Sequence, residues 1–350
     1  MADVSEHPDD HHHEPRERGL LARVGARLPH DHDHADRPTP ADTTAEGIRA
    51  TKVSLVGLGI TALLQAAVVV VTGSVALLSD TLHNLTDALT AIPLWIAFSL
   101  GRRAPTRRFT HGYHRAEDLA GIVIVLAIAV SAGAVAWESI QRLADPRDIR
   151  FAPWVIAAGV VGAIGNELVA RYRIRVGRRI GSEALIADGM HARTDAYTSL
   201  SVVAAGVGAL LGWRWADPVA GLVVAVVILI ILQRTAWRMF GRLLDAVDPA
   251  LVDRAVVVAG GVEGVEEVTA MRLRFSGHRL VSTVSIGVEP SASVRVGHEI
   301  AERVAHALAH DLPYALEAVV HVDPAGLEGC HDLTEHHGMR LAGQDPADHP

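Results

Sequence analysis

Six long apolar stretches between residues 50 and 235 constrain this chain more than any other feature. A helix needs roughly 20 mostly apolar residues to cross a membrane. An apolar content of 49% with only 4% aromatic residues suits helices that face lipid. The sequence therefore predicts a membrane α-helical bundle with six transmembrane helices. The predicted spans are 53–72, 75–100, 119–137, 152–170, 184–211 and 215–232.

Arginine is concentrated in the loops that follow the second, fourth and sixth spans. The loop after the first span has no Arg or Lys, and the loop after the fifth has only Arg214. Short cytoplasmic loops carry an excess of Arg and Lys, so we expect both termini in the cytoplasm and the chain in the plasma (cytoplasmic) membrane. The arginines of these loops are Arg102, Arg103, Arg107, Arg108, Arg115, Arg171, Arg173, Arg175, Arg178, Arg179, Arg234, Arg238 and Arg242.

The regions outside the spans divide into two polar tails and one soluble domain. We expect residues 1–47 to form a disordered His- and Asp-rich tail, residues 48–240 the transmembrane domain, and residues 325–350 a polar C-terminal tail. Residues 249–324 follow the order helix, strand, strand, helix, strand, which is typical of a small α+β layer.

Histidine is unusually abundant, with 20 residues against a single cysteine. The single cysteine excludes a disulfide scaffold and Cys-rich zinc fingers. A net charge of −8 gives no global basic balance that would point to nucleic acid. Eleven histidines lie in the tails, where they indicate either a loose zinc-collecting segment or no more than polar composition.

The second and fifth spans are polar, and both carry the pattern D-x-x-H-x-x-x-D. Residues i and i+4 lie on one face of a helix, so each span presents one imidazole and one carboxylate side by side. Ionisable groups within a membrane are costly and indicate function. Four N and O ligands at roughly 2.0–2.2 Å suit tetrahedral Zn²⁺. The pattern predicts a metal site between two facing helices, formed by His83, Asp87, His191 and Asp195.

Alternative interpretations exist for this pattern. A lone H-x-x-x-D pair is more often a hydrogen bond that ties two helices together, but here the pattern occurs twice and the other four spans contain nothing comparable. Asp80 and Asp188, which open the two copies, are auxiliary candidates with three open roles. The first role is to orient the His rings, the second is to line the path by which the metal enters, and the third is simply to be hydrated near a membrane boundary.

Charge suggests a mechanism for such a site. Two close buried carboxylates do not both stay ionised and unpaired, so protons on His and Asp are the natural substitute when the metal leaves. A metal/proton antiporter needs a site that holds either metal or protons and opens alternately to each side of the membrane. The sequence therefore predicts such an antiporter. The alternative is a zinc sensor in which the same site is static.

An enzyme is not expected. A membrane metallohydrolase needs a general base beside an open metal position, as in H-E-x-x-H. The dipeptide His298-Glu299 lacks the second His, and four protein ligands leave no position for a water molecule.

Two further motifs make a family resemblance specific. They are Phe109-Thr-His-Gly-Tyr-His-Arg-Ala-Glu117 after the second span and Asp217-Pro218 at the start of the sixth. Together with the two H-x-x-x-D helices, these motifs show that residues 48–324 resemble the cation diffusion facilitator family. The resemblance implies a homodimeric Zn²⁺/H⁺ antiporter that exports metal, with a ferredoxin-like cytoplasmic domain. His83 favours zinc within that family, while Co²⁺, Cd²⁺ and Ni²⁺ stay open.

The resemblance also implies metal sites outside the membrane. In the cytoplasmic domain, His298, His321 and Asp323 align with a regulatory zinc site of the family. Ser285 stands where that site has a bridging His, and His278 on the turn between the strands is our candidate to replace it.

A third site lies in the loop after the second span in some family members. Here His111 and His114 are displaced from the family's positions. They are auxiliary metal candidates, or they face solvent beside the Arg cluster.

Overall fold

The computed structural model describes residues 40–72, 90–144 and 152–326, which include six helices in the predicted membrane region. They are α1 (Pro40–Thr72), α2 (Ala91–Gly101), α3 (Ala116–Ala144), α4 (Ala152–Ile180), α5 (Glu183–Leu210) and α6 (Ala216–Leu243). Among the described helices, α1, α3, α4 and α6 are long and apolar enough to cross a membrane. Helix α2 is the last part of the predicted second span, whose residues 75–89 lie outside the described residues.

Helix α5 is the polar member of the bundle, and it turns its polar side chains inward. Asp188, His191, Thr194, Asp195 and Ser199 are all buried. Asp188, His191, Asp195 and Ser199 follow one another at intervals of three or four residues, and Thr194 lies three residues after His191, so all five lie on one face of the helix. Lipid offers no hydrogen-bond partners, so a membrane helix keeps such a face inside the bundle.

Helices α4 and α5 form an antiparallel hairpin joined by Gly181 and Ser182. Gly181 has a φ of 76°, which favours glycine. The Ser182 hydroxyl caps α5 by accepting a hydrogen bond from the Leu185 N–H at 3.0 Å. The helices approach closely at Gly189, where an added Cβ would lie 2.7 Å from Cγ1 of Ile174.

This hairpin corrects our prediction of a loop after the fourth span. Helix α4 continues to Ile180, so the arginines between residues 171 and 179 are helical. Their surroundings differ because a helix turns only every third or fourth side chain towards α5. The Arg171 side chain is 65% exposed, whereas that of Arg173 is 1% exposed.

Helix α1 begins at Pro40, so residues 40–47 belong to this helix and not to the predicted tail. Proline is tolerated in the first turn of a helix because the N–H that it lacks has no intrahelical partner there. Thr43 and Thr44 are buried, which the composition of the tail did not suggest. The rest of the predicted N-terminal tail, and residues 327–350, lie outside the described residues.

The C-terminal region has the predicted order of elements. They are α7 (Pro249–Gly260), β1 (Glu267–Ser276), β2 (Arg279–Val288), α8 (Val294–Asp311) and β3 (Ala315–Pro324). Strand β2 is central, antiparallel to β1 and parallel to β3. Helix α8 packs Ile300, Val304 and Leu308 in one apolar core with Val284 and Ile286 of β2. The fold is therefore a membrane helical bundle followed by a small α+β domain.

Candidate metal site

His191 and Asp195 lie one helical turn apart on α5, side by side. Nδ1 of His191 is 3.9 Å from Oδ1 of Asp195, and the two residues are 1% and 4% exposed. The Thr194 hydroxyl donates a hydrogen bond to the backbone oxygen of His191 at 2.7 Å. One imidazole and one carboxylate, both common zinc ligands, are thus buried together inside the bundle.

The other half of the predicted site lies outside the described residues, because Asp80, His83 and Asp87 fall in the gap before α2. Within residues 40–72, 90–144 and 152–326, no three His, Cys, Asp or Glu side chains are grouped closely enough to hold a metal ion. His191 and Asp195 offer two donor groups, whereas a tetrahedral Zn²⁺ ion takes four ligands.

Asp188, one turn before His191, is bound to an arginine of the neighbouring helix. Its Oδ2 is 3.0 Å from Nη1 of Arg173, and the two side chains are 0% and 1% exposed. This burial excludes the hydrated boundary position that we left open for Asp188. Sequence reasoning missed Arg173 because it assigned residues 171–179 to a loop.

A second ion pair joins the same two helices. Nε of Arg193 in α5 is 3.1 Å from Oε2 of Glu167 in α4. Glu167 also contacts Arg171, one turn later on its own helix, at 2.7 Å. Charges within a membrane are costly unless they are paired. The opposite charges of Glu167 and Arg193, in consecutive predicted spans, were the sequence signal for this contact.

In the α+β domain, three of the four predicted regulatory residues lie at one end of the sheet. Nε2 of His321 is 2.9 Å from Oδ1 of Asp323 on β3. His298 is exposed in the first turns of α8. A Cβ at the preceding residue, Gly297, would lie 3.4 Å from Cγ1 of Val322. This packing brings the start of α8 onto the end of β3 that carries His321 and Asp323.

Comparison with known proteins identifies the family. Residues 51–244 match the family described as cation efflux transmembrane domain, and residues 247–325 match the cation efflux protein cytoplasmic domain. The chain belongs to the cation diffusion facilitator family. Members of this family are transporters of divalent metal cations and not enzymes. The prediction of a divalent-cation transporter and the prediction that the protein is not an enzyme are therefore confirmed.

Relatives of this cation diffusion facilitator come from several organisms. Probable cation efflux system protein MT2084 of Mycobacterium tuberculosis (strain CDC 1551 / Oshkosh) is 48% identical over 317 residues, which is 90% of this chain and 95% of the relative. Zinc transporter ZitB of Escherichia coli K12 is 30% identical over 228 residues, or 64% and 68% of the two chains. Magnetosome protein MamB of Paramagnetospirillum magneticum is 27% identical over 256 residues, or 72% and 86%.

The β1–β2 turn of this cation diffusion facilitator is clamped against its membrane helices. We call residues 276–279 the hairpin tip. Oε2 of Glu117, at the start of α3, accepts hydrogen bonds from the backbone N–H of His278 at 3.2 Å and from its Nδ1 at 2.7 Å. With the proton on Nδ1, Nε2 accepts a hydrogen bond from the Thr43 hydroxyl at 3.1 Å. His278 therefore links α1, α3 and the cytoplasmic domain.

Further polar contacts complete this clamp. The backbone N–H of Gly277 donates to Oδ2 of Asp118 at 3.2 Å, and Nη2 of Arg279 donates to the Thr44 hydroxyl at 3.1 Å. Gly277 has a φ of 61°, and a Cβ there would lie 2.7 Å from the backbone oxygen of His114. A glycine is thus required at the point where the hairpin tip meets the loop before α3.

The clamp corrects our grouping of His278 with the regulatory residues. His321 pairs in register with Ser285, which is seven residues along β2 from His278. At about 3.3 Å per residue, the two histidines are about 23 Å apart along the strand. The hairpin turn carries His278 to the membrane end of the domain, whereas His321 lies towards the other end. The turn position alone did not show which end of the sheet faces the membrane.

His114 also contacts the hairpin tip, in contrast to the exposed His111. Its Nε2 is 3.2 Å from Nη1 of Arg279, and a neutral imidazole accepts a hydrogen bond there. Burial lowers the pKa of His114 from its ordinary 6.5 to about 4, and the charge of Arg279 acts in the same direction while Glu117 opposes it. His114 is thus half-buried against the cytoplasmic domain, not turned to solvent, and His111 is the exposed member of the pair.

Proposed function

We propose that this cation diffusion facilitator exports Zn²⁺ from the cytoplasm in exchange for protons, through His83, Asp87, His191 and Asp195. The observation that supports this proposal is the burial of His191 beside Asp195 on the inward face of a polar membrane helix. The repeat at Asp80–Asp87 supplies the same residue types in the second span. Two such halves amount to four N and O ligands, which suit tetrahedral Zn²⁺.

Proton exchange is proposed from the charge of this donor set. Two aspartates and two neutral histidines balance one Zn²⁺, and the emptied site leaves two carboxylates in a low-dielectric interior. Protons are the ions that stabilise such carboxylates and imidazoles once the metal has left. When one site exchanges metal for protons, protons that move inward down their gradient drive the export of the metal.

The direction of transport is proposed from the arginine distribution. The arginine-rich loops after the second and sixth spans, together with the arginines at the end of α4, support a cytoplasmic location for that side of the bundle. In this proposal the helical bundle spans the plasma membrane, and both termini and the α+β domain lie on its cytoplasmic side. The names of the relatives, which include a cation efflux system protein, agree with outward movement.

Zinc is preferred over other ions on two grounds. The relative ZitB is named a zinc transporter, and two imidazoles with two carboxylates are ligands that suit tetrahedral Zn²⁺. Export of Co²⁺, Cd²⁺ or Ni²⁺ on the same fold is the second candidate, because imidazole binds these ions as well. A static zinc sensor is the third candidate and predicts binding without flux.

We also propose that the transporter is a homodimer whose α+β domain binds regulatory zinc. The match of residues 247–325 to the family's cytoplasmic domain supports a role in pairing two chains. His321 and Asp323, whose Nε2 and Oδ1 lie 2.9 Å apart, would supply two ligands on each chain, and His298 at the start of α8 is the candidate for a further one.

Zinc flux into proteoliposomes under a pH gradient tests the function. We expect flux in the wild-type chain, loss of flux in His191→Ala and Asp195→Asn, and unchanged flux in Glu302→Gln, an exposed acidic residue of α8. Flux that ignores the pH gradient would refute proton exchange. Tight zinc binding without flux would favour the sensor.

Metal preference supplies a second test. We expect His83→Asp to broaden transport towards Cd²⁺, because an oxygen ligand in place of an imidazole relaxes the tetrahedral N and O preference of the site. An unchanged ratio of Zn²⁺ to Cd²⁺ flux would argue against His83 as a ligand.

A further inference from the structure

The buried ion pair between Arg173 and Asp188 lies beside the predicted transport site, and the transport mechanism above does not use it. Nη1 of Arg173 is 3.0 Å from Oδ2 of Asp188 and 3.4 Å from the backbone oxygen of the same residue. Both side chains are almost fully shielded from solvent and lipid, at 1% and 0% exposure. The guanidinium thus holds both the carboxylate and the backbone of one turn of α5.

The position of Asp188 makes it a potential metal ligand. It precedes His191 by three residues, which is about 4.5 Å along the helix axis and on the same face. A divalent cation at His191 and Asp195 would attract a third carboxylate that lies within one turn, because the low-dielectric interior strengthens charge interactions. Some other interaction must therefore hold Asp188 for the site to keep two His and two Asp ligands.

We propose that Arg173 is a specificity-determining positioning residue that keeps Asp188 from coordinating the transported metal. This inference rests on the proposed function, since it takes His191 and Asp195 as metal ligands. Arg173 touches Asp188 and acts on the metal site only through it. The pairing preserves a four-ligand site of mixed N and O donors, which selects against cations that prefer more oxygen ligands.

The energetics of buried ion pairs support a role beyond stability. Replacing a buried ion pair by apolar side chains of similar volume is often neutral or stabilising, so such a pair is weak evidence for a structural need. Removing the arginine alone has a different effect. It leaves a buried carboxylate without its counter-charge, one turn from the metal, and that carboxylate then takes up a proton or a cation.

The expected change in metal preference follows from coordination chemistry. A third carboxylate would raise the ligand number and the share of oxygen donors at the site. Mn²⁺ prefers six-coordinate, oxygen-rich sites, whereas tetrahedral Zn²⁺ gains little from extra oxygen ligands. Loss of Arg173 should therefore shift preference from Zn²⁺ towards Mn²⁺, and loss of Asp188 in the same chain should reverse the shift.

Competition binding of Mn²⁺ against Zn²⁺ to the purified full-length protein in detergent tests this inference. We expect Arg173→Met to raise the Mn²⁺/Zn²⁺ affinity ratio by about tenfold, which is about 1.4 kcal/mol. Arg173→Lys keeps a positive charge and should stay close to wild type. Arg173→Met/Asp188→Asn lacks both charges and should return to the wild-type ratio. A role in folding alone would not move this ratio in opposite directions.

Arg171→Met is the matched control, because Arg171 lies two residues earlier on α4 with a 65% exposed side chain. We expect it to leave the ratio unchanged. An unchanged ratio in Arg173→Met would overturn the proposal. So would an equal shift in Arg171→Met, or a shift that persists in the double variant. If Arg173→Met does not fold, Arg173→Gln takes its place, because it also removes the positive charge while Asp188 is kept; it should raise the Mn²⁺/Zn²⁺ ratio, and an unchanged ratio there would overturn the proposal.

The proposed function fails in a different way in the same experiment. If His191→Ala binds Zn²⁺ as tightly as the wild-type chain, the transport site itself is wrong, whatever the result for Arg173. If His191→Ala loses Zn²⁺ and Arg173→Met shows no change in preference, only the role of Arg173 is wrong.

Discussion

Substitution of Glu117 by Ala should release the hairpin tip from the membrane helices. One oxygen of Glu117, Oε2, accepts both the backbone N–H and the Nδ1–H of His278, at 3.2 and 2.7 Å. Glu117 and His278 are only 4% and 5% exposed, so water does not readily replace the lost acceptor. The substitution therefore leaves two buried donors of His278 without a partner whenever the hairpin tip is docked.

The magnitude follows from these two donors. A buried donor left without an acceptor costs about 1–3 kcal/mol, so two of them weaken docking by at least about 2 kcal/mol. Because a factor of ten corresponds to about 1.4 kcal/mol, the undocked fraction should rise about thirtyfold. Glu117→Gln keeps one acceptor oxygen and should give a smaller rise.

Hydrogen–deuterium exchange of the full-length protein in detergent measures this fraction. The Gly277 amide is the appropriate probe, because its acceptor, Asp118, is still present in the Glu117→Ala variant. Its exchange should therefore rise only when the hairpin tip undocks. We expect about thirtyfold faster exchange at Gly277 and no change at Val284, which is fully buried in the core of the cytoplasmic domain.

The matched control is Glu302→Ala, which removes an exposed carboxylate from α8. It should leave Gly277 exchange at the wild-type rate. Equal exchange at Gly277 in wild type and Glu117→Ala would refute the clamp. A rise at Val284 of the same size would instead show unfolding of the whole domain.

Three further predictions concern the half-buried histidine, the helix hairpin and the tail. The pKa of His114 falls from 6.5 to about 4 on folding, so its contribution to stability is complete above pH 6.5 and is lost as the pH falls towards 4. Thermal unfolding should therefore depend less on pH in this window in His114→Gln. Gly189→Ala should destabilise the protein by about 1–3 kcal/mol in a denaturant titration, because its Cβ would meet Ile174, whereas Gly133→Ala, with nothing within 4 Å, should not. Deletion of residues 1–38 should modestly lower the apparent zinc affinity in flux assays and leave the maximal rate intact.

Each of these predictions has an outcome that contradicts it. An unchanged pH dependence in His114→Gln would show that its imidazole does not control stability in this window. Equal stability of the two alanine variants would mean that the α4–α5 hairpin tolerates a wider separation at Gly189. Loss of all flux on deletion of residues 1–38 would contradict a role of the tail in zinc collection alone. This deletion ends before helix α1, so it leaves Thr43 and the clamp intact.

Local patterns in the sequence were sufficient for much of the fold and for the shared helix face of His191 and Asp195. Apolar length predicted the membrane helices, because a span must cover about 30 Å of hydrocarbon with satisfied backbone groups. The i, i+4 spacing predicted that His191 and Asp195 share a face, because helix geometry alone sets that relation. Alternating strands and their turn predicted the cytoplasmic sheet in the same way. All of these relations are between residues close in sequence.

Only the tertiary structure decided the contacts of Arg173, His278 and Thr43. The sequence placed Arg173 in a loop, and the burial that pairs it with Asp188 depends on α4 continuing alongside α5. The sequence placed Thr43 in a tail and His278 in a metal site, yet the two meet across 235 positions of chain. Contacts of this kind depend on how complete helices and domains pack. Local periodicity sets which face of an element is polar, but packing determines which partner that face meets.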